Sequence, residues 1–199
     1  MINDIAVFLI FYLVGSIPFS YIVTRLKTGK DIRDMGSGNV GATNVLRTTG
    51  KGAGLLALIL DVAKGAVAVG ISYLAGGNER TAAIAGFAAM IGHSYPVFLR
   101  FRGGKSVATG AGAFLLLAPL AILSSIGVFA AVVAIFRIVS LGSVLAAAAF
   151  PLFTWLYGAR RGVVICGALA AALILYRHRS NIVRLIRGTE RKIGDKDDA

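Results

Sequence analysis

Carboxylates are scarce in this chain. Nine Asp and Glu stand against 21 Lys and Arg in 199 residues. Those nearest the polar stretches, Asp31, Asp34, Asp61 and Glu190, are scattered. Metal-dependent phosphotransferases need several convergent carboxylates, so no metal is expected, and no other cofactor. Cys166 is the only cysteine, which excludes an internal disulfide and a Cys-based metal centre. Short segments of alternating polarity are missing too, which argues against a transmembrane β-barrel. The first residues, Met1 to Asp4, lack a basic leader and a cleavage site, so the first apolar run is expected to be a retained span.

What the chain has instead is apolar length. It is 57% hydrophobic, with a mean hydropathy of +0.79. Runs near the ~20 residues needed to cross a bilayer recur throughout. The expectation is an all-α, polytopic integral membrane protein. The formal net charge of +12 would suggest a nucleic-acid partner in a soluble protein. Here the excess of Lys and Arg in cytoplasmic segments accounts for much of it, anionic substrates for the rest, and no nucleic acid is expected.

Spans are expected near residues 5–24, 53–74 and 81–99. The first is interrupted at Gly15-Ser16-Ile17-Pro18 and leaves through Arg25, Lys27, Lys30 and Arg33. Asp61 and Lys64 stand at i, i+3 in the second, on one face, where they can pair. His93, ahead of Pro96, is expected to be structural. Three further apolar blocks follow, 111–136, 138–157 and 162–176. The basic tail after them favours the cytoplasm, so parity demands an even number of crossings. The first block is therefore split near 119–124. This gives seven transmembrane helices, N-terminus outside and C-terminus cytoplasmic, with five as the alternative. Residues 1–193 are expected to form one membrane-embedded domain, and 194–199 a disordered tail.

Three polar clusters stand at span edges. The first, over 35–51, combines Gly36, Gly38 and Gly41 with Ser37, Asn39, Thr43 and Asn44, and adds Arg47 and Lys51. Bare amides, hydroxyls and fixed cations suit a phosphate cradle. The second holds Arg102, Gly103, Gly104, Lys105, Ser106 and Thr109. Gly104-Lys105-Ser106 imitates the end of a P-loop, but Leu99 occupies the position of its first glycine and a membrane span precedes it, so a nucleotide-binding role is rejected. The third lies in a short basic amphipathic segment with His178, Arg179 and Asn181. All three are expected on the cytoplasmic side. Together they are rich in cations and poor in bases, a composition suited to holding more than one phosphate group.

These clusters resemble the bacterial inner-membrane acyl-phosphate:glycerol-3-phosphate acyltransferases. The matching pieces are GSGNVGATNVLR over 36–47, DVAKG over 61–65, GHSYPVFL over 92–99, RGGKSVAT over 102–109 and HRSNIVRLIRGTE over 178–190, in the family's order. The resemblance implies transfer of a fatty acyl group from acyl phosphate to the sn-1 hydroxyl of glycerol 3-phosphate. The product would be lysophosphatidic acid, the first intermediate of phospholipid synthesis. By motif position Ser37, Arg47, Lys105, His178 and Asn181 inherit the catalytic assignment, with the other cluster residues and Ser143 in substrate binding. Ser106 stands where many members carry glycine. The expected partners are the two substrates and the lipid bilayer of the inner membrane, and a monomer is expected. An anion transporter is the competing class, but transporters commonly carry inverted repeats and broken midplane helices. Here no repeat is evident and the polar clusters sit at span ends.

Overall fold

The structure is a computed structural model that describes residues 3–195. Among these residues the secondary structure is helical, with no strand. The expected disorder from 194 onward falls mainly outside the described residues. Gly194 and Asp195 are described, and the Asp195 carboxylate accepts the Lys192 N–H at 2.7 Å. The chain falls into two compact units, Met1–Leu117 and Ala118–Ala199.

The first unit opens with α1 (Asp4–Ser16) and α2 (Phe19–Thr28), separated at Ile17-Pro18. Proline has no N–H to continue the ladder, so the interruption falls where the sequence predicts it. α3 (Ala42–Thr49) and α4 (Lys51–Leu74) meet at Gly50, whose φ of +105° lets the chain turn between them. α5 (Glu79–Ser94) starts at Asn78, whose side chain accepts the Thr81 N–H at 3.0 Å. A 3-10 turn, Val97–Leu99, follows Pro96, and α6 (Val107–Leu117) closes the unit. α1 packs on α5, and α4 on α6. Both pairs approach backbone to backbone because small residues face each other. A Cβ on Gly15 would strike the Ala89 backbone, and one on Gly65 the Thr109 carbonyl. Val7, Phe11, Ala68, Ala85, Ala88 and Ala89 form one core cluster. A second, with Val23, Ile32, Val40, Val45, Ala53, Ala57 and Leu99, lies under the polar loop before α3.

The second unit holds α7 (Pro119–Phe136), α8 (Val139–Leu156), α9 (Arg161–Arg177) and the short α10 (Arg179–Ile186). Pro119 occupies the first turn of α7, where its missing N–H costs nothing. α8 packs against both α7 and α9. α9 and α10 meet at His178 with a bend of 60°.

Among the described residues five helical stretches are long and apolar enough to cross a membrane: Asp4–Thr28, Lys51–Leu74, Glu79–Leu99, Pro119–Phe136 and Val139–Leu156. The bent pair of α9 and α10 makes a sixth. α6 is the element that separates this from the expected seven. It has 11 residues, about 16 Å of helix against ~30 Å of hydrocarbon. The block expected to divide between 119 and 124 divides at Ala118 instead, because Pro119 starts a helix rather than ending one.

Candidate active site

Asn44 organises the first cluster. Its Oδ1 accepts the Ser37 N–H at 3.0 Å, and its Nδ2 donates to the carbonyls of Met35 at 3.0 Å and Asn39 at 3.1 Å. It is 2% exposed, so it braces the loop from within. Gly36 and Gly38 take φ of +55° and +67°, which aims successive amides along the loop. The bracing leaves Ser37, Thr43, Arg47 and Lys51 exposed, with Asn39 half-buried. Arg47 projects from α3 and makes no ion pair among the described residues.

The second cluster folds against the first. Arg100, Phe101 and Ser106 have φ of 52°, 62° and 59°, left-handed values that non-glycine residues adopt at a cost. Gly103 and Gly104 are buried, and the Gly104 N–H donates to the His93 carbonyl at 3.0 Å. A Cβ on Gly104 would fall on both the His93 ring and the Val40 carbonyl. Ser106 turns inward, its Oγ 2.6 Å from the Met90 carbonyl and 2.7 Å from Ser94 Oγ. Thr109 is fully buried. Lys105 is half-buried, beside the buried Gly104 and the inward-facing Ser106. An open groove lined by Asp31, Arg33, Asp34, Gly38, Phe98, Leu99, Arg100 and Arg102 joins the two clusters. Within it Arg33 bonds Asp31 at 2.6 Å and holds that carboxyl below its ordinary range.

Beneath lies a buried charged group. Lys64 Nζ is 2.9 Å from Asp61 Oδ1, as the i, i+3 spacing predicts. The Lys64 ammonium also donates to the Ile17 carbonyl at 3.0 Å, and Ser20 Oγ donates to Asp61 Oδ2 at 3.1 Å. His93 Nδ1 stands 3.4 Å from Asp61 Oδ1. Ser20 and His93 reach Asp61 across helices, so spacing along the chain does not announce them.

The third cluster lies in the second unit. His178 is 3% exposed, and its Nδ1 is 2.8 Å from the Ile174 carbonyl. An N–H at Nδ1 leaves Nε2 as the acceptor of a neutral ring. Asn181 Nδ2 donates to Glu190 Oε1 at 2.6 Å, where Ser140 Oγ also donates at 2.7 Å. Arg184 Nε reaches Glu190 Oε2 at 2.6 Å. Burial pushes the Glu190 carboxyl up, but the hydrogen bonds from Ser140, Asn181 and Arg184 outweigh it and hold the group below its ordinary value. Arg179 is exposed, its guanidinium 4.6 Å from the centre of the Tyr176 ring. Ser143 is buried and donates to Val139 O at 3.0 Å. Ser140 and Glu190 are missing from the expected site. The one available signal was Glu190 itself, a lone acid in a strongly basic segment.

Residues 5–188 match the family model described as Glycerol-3-phosphate acyltransferase. A glycerol-3-phosphate acyltransferase of Parasynechococcus marenigrum is 50% identical over 185 residues, 93% of this chain and 87% of the relative. One from Syntrophomonas wolfei is 47% identical over 194 residues, 98% of this chain and 99% of the relative. A crystal structure of PlsY, an integral membrane glycerol 3-phosphate acyltransferase, in its glycerol 3-phosphate form superposes with a TM-score of 0.90 at 40% identity, covering 96% of both chains. The lysophosphatidic acid form of PlsY gives 0.87 at 38% identity, covering 96% of this chain and 95% of that one.

Proposed function

Because this chain belongs to the glycerol-3-phosphate acyltransferase family, we propose that its donor is acyl phosphate and its acceptor the sn-1 hydroxyl of glycerol 3-phosphate. The chain is a multi-pass membrane acyltransferase. The observation that carries the finer reading is the cradle of the first unit. There the braced loop leaves Ser37 and Arg47 exposed, Lys105 stands half-buried, and Arg102 opens on the groove shared with Gly38. Such a surface is fitted to phosphate oxygens. Acyl phosphate is already activated, so the protein need only align two phosphorylated molecules and offset their repulsion.

In the proposed step the glycerol hydroxyl oxygen attacks the acyl carbonyl carbon. The bond from that carbon to the phosphate oxygen breaks, and the departing phosphate takes the hydroxyl proton. Lysophosphatidic acid and inorganic phosphate result. Arg47 and Lys105 hold substrate phosphates, and Ser37 orients by hydrogen bonding. His178 and Asn181 act as orienting groups, each held by an internal partner. The remaining cluster residues shape the binding surface, the buried Asn44, Ser106, Thr109 and Ser143 from within. The family match extends through both units, which supports one catalytic domain over 1–193. A monomer with seven crossings, the 11-residue α6 among them, places the N-terminus outside and all three clusters in the cytoplasm, in the inner membrane.

The test is turnover by purified protein given acyl phosphate and glycerol 3-phosphate, with acyl-CoA as the control donor. Activity with acyl-CoA alone overturns the donor. Trapping with labelled acyl phosphate tests the step: a kinetically competent ester on Ser37 with ping-pong kinetics overturns direct transfer.

A further inference from the structure

Segments distant in sequence converge on His93. Its Nδ1 faces Asp61 Oδ1 at 3.4 Å. Its carbonyl accepts the Gly104 N–H at 3.0 Å. Its Nε2, with the Val40 carbonyl, occupies the place a side chain on Gly104 would take. The ring is 7% exposed, beside a void of about 10 Å³, room for one water at most.

His93 is one of three side chains that reach the Asp61 carboxylate. Lys64 at 2.9 Å and Ser20 at 3.1 Å already complement the carboxylate. What His93 adds is a rigid body between Asp61 and the Gly103-Gly104 turn. We propose that His93 is a positioning residue. Anchored by Asp61, it sets the spacing between the Val40 end of the first polar loop and the Gly103-Gly104 turn, and so fixes where Lys105 presents its ammonium. The proposal rests on the phosphate-binding reading of that cradle. A turn displaced by a few tenths of an ångström still folds, but it meets the substrate phosphate poorly.

The decisive variant is His93→Asn. Its Nδ2 can replace Nδ1 towards Asp61, but it removes the ring edge facing Gly104. The expected result is thermal stability near wild type, kcat within about threefold, and KM for glycerol 3-phosphate or acyl phosphate raised roughly tenfold. Gly104→Ala presses on the same contact from the other side and should give the same split. In the double variant the shorter side chain relieves the clash with the ring but not the one with the Val40 carbonyl, so the loss should fall below the sum of the two single losses. Unchanged KM in His93→Asn, or fully additive losses, overturns the proposal. If His93→Asn fails to fold, His93→Gln decides, and unchanged KM there overturns it. Calorimetric titration with glycerol 3-phosphate runs in parallel. A wild type that binds but does not turn over acyl phosphate sinks the donor assignment and leaves the positioning role to be judged by the variants' affinity.

Discussion

The side-chain oxygen of Asn44 accepts the backbone N–H of Ser37 at 3.0 Å, across seven residues of loop. The same amide donates to two carbonyls of that loop, so one buried side chain replaces the ladder the loop lacks. Asn44→Ala removes these bonds, together with a longer one to the Ile32 carbonyl at 3.4 Å, and leaves their partners unsatisfied. We expect a loss on the order of 2–3 kcal/mol, with proteolysis concentrated in 35–41. Thermal melts in detergent and mapping of the cut sites check it. Asn44→Asp should fare no better, because a buried carboxylate would face the carbonyls of Met35 and Asn39.

Arg47 is exposed and lacks an ion pair among the described residues, so its loss should leave the fold intact. Arg47→Ala is expected to lower kcat/KM by ~10–100-fold, the scale of one charge-assisted contact to an anion. Arg47→Lys should recover only part of it, since a point charge does not reproduce a two-pronged donor. Steady-state kinetics at fixed ionic strength decide; wild-type values in both variants sink the phosphate assignment.

Acid should loosen the second unit through Glu190. The folded carboxyl titrates below its unfolded value. Its stabilising contribution is therefore complete above the ordinary glutamate range, near ~4.3, and is lost as pH falls through the folded value. Wild-type melting temperature should drop on that side, while Glu190→Gln should start lower at neutral pH and change less on acidification. Parallel pH-dependent melts of both proteins reveal it; identical slopes would remove Glu190 from the account.

Two glycines of similar helical setting should respond oppositely. A Cβ on Gly65 meets the Thr109 carbonyl, whereas one on Gly127 meets nothing within 4 Å. Gly65→Ala should separate α4 from α6 and destabilise by about 1–3 kcal/mol. Gly127→Ala should stabilise by roughly 0.5–1 kcal/mol, through helix propensity alone. Melting temperatures of the two variants are the measurement.

Features that depend on neighbours along the chain were legible in the sequence. Pro18 marked the break in the first span, Asp61 and Lys64 announced their pairing, and the glycine-rich loops stood out between apolar runs. What depends on contact across helices was not. Nothing in spacing ties Ser20 to Asp61, or Glu190 to Ser140 fifty residues earlier. The left-handed turn at Arg100 and Phe101 was hidden for another reason. Neither residue favours that conformation, and it is imposed by the tertiary setting. Asn44, expected among the substrate-binding residues, has the composition of a ligand contact and the burial of a brace. Composition alone does not separate those roles.

The bond from Lys64 to the Ile17 carbonyl bears on how the protein enters its bilayer. At synthesis the first hydrophobic segment carries a helix break at Ile17-Pro18, and the second carries an acid and an amine. Each alone is a poor resident of hydrocarbon. Brought together, the amine caps the carbonyl, and Ser20 from the first segment helps to cap the acid. The biogenesis of residues 4–74 is thus best served by releasing both segments from the insertion machinery as a pair. A nascent chain arrested before Lys51 should remain loosely inserted and open to degradation, and should settle only when the helix bearing Asp61 and Lys64 arrives.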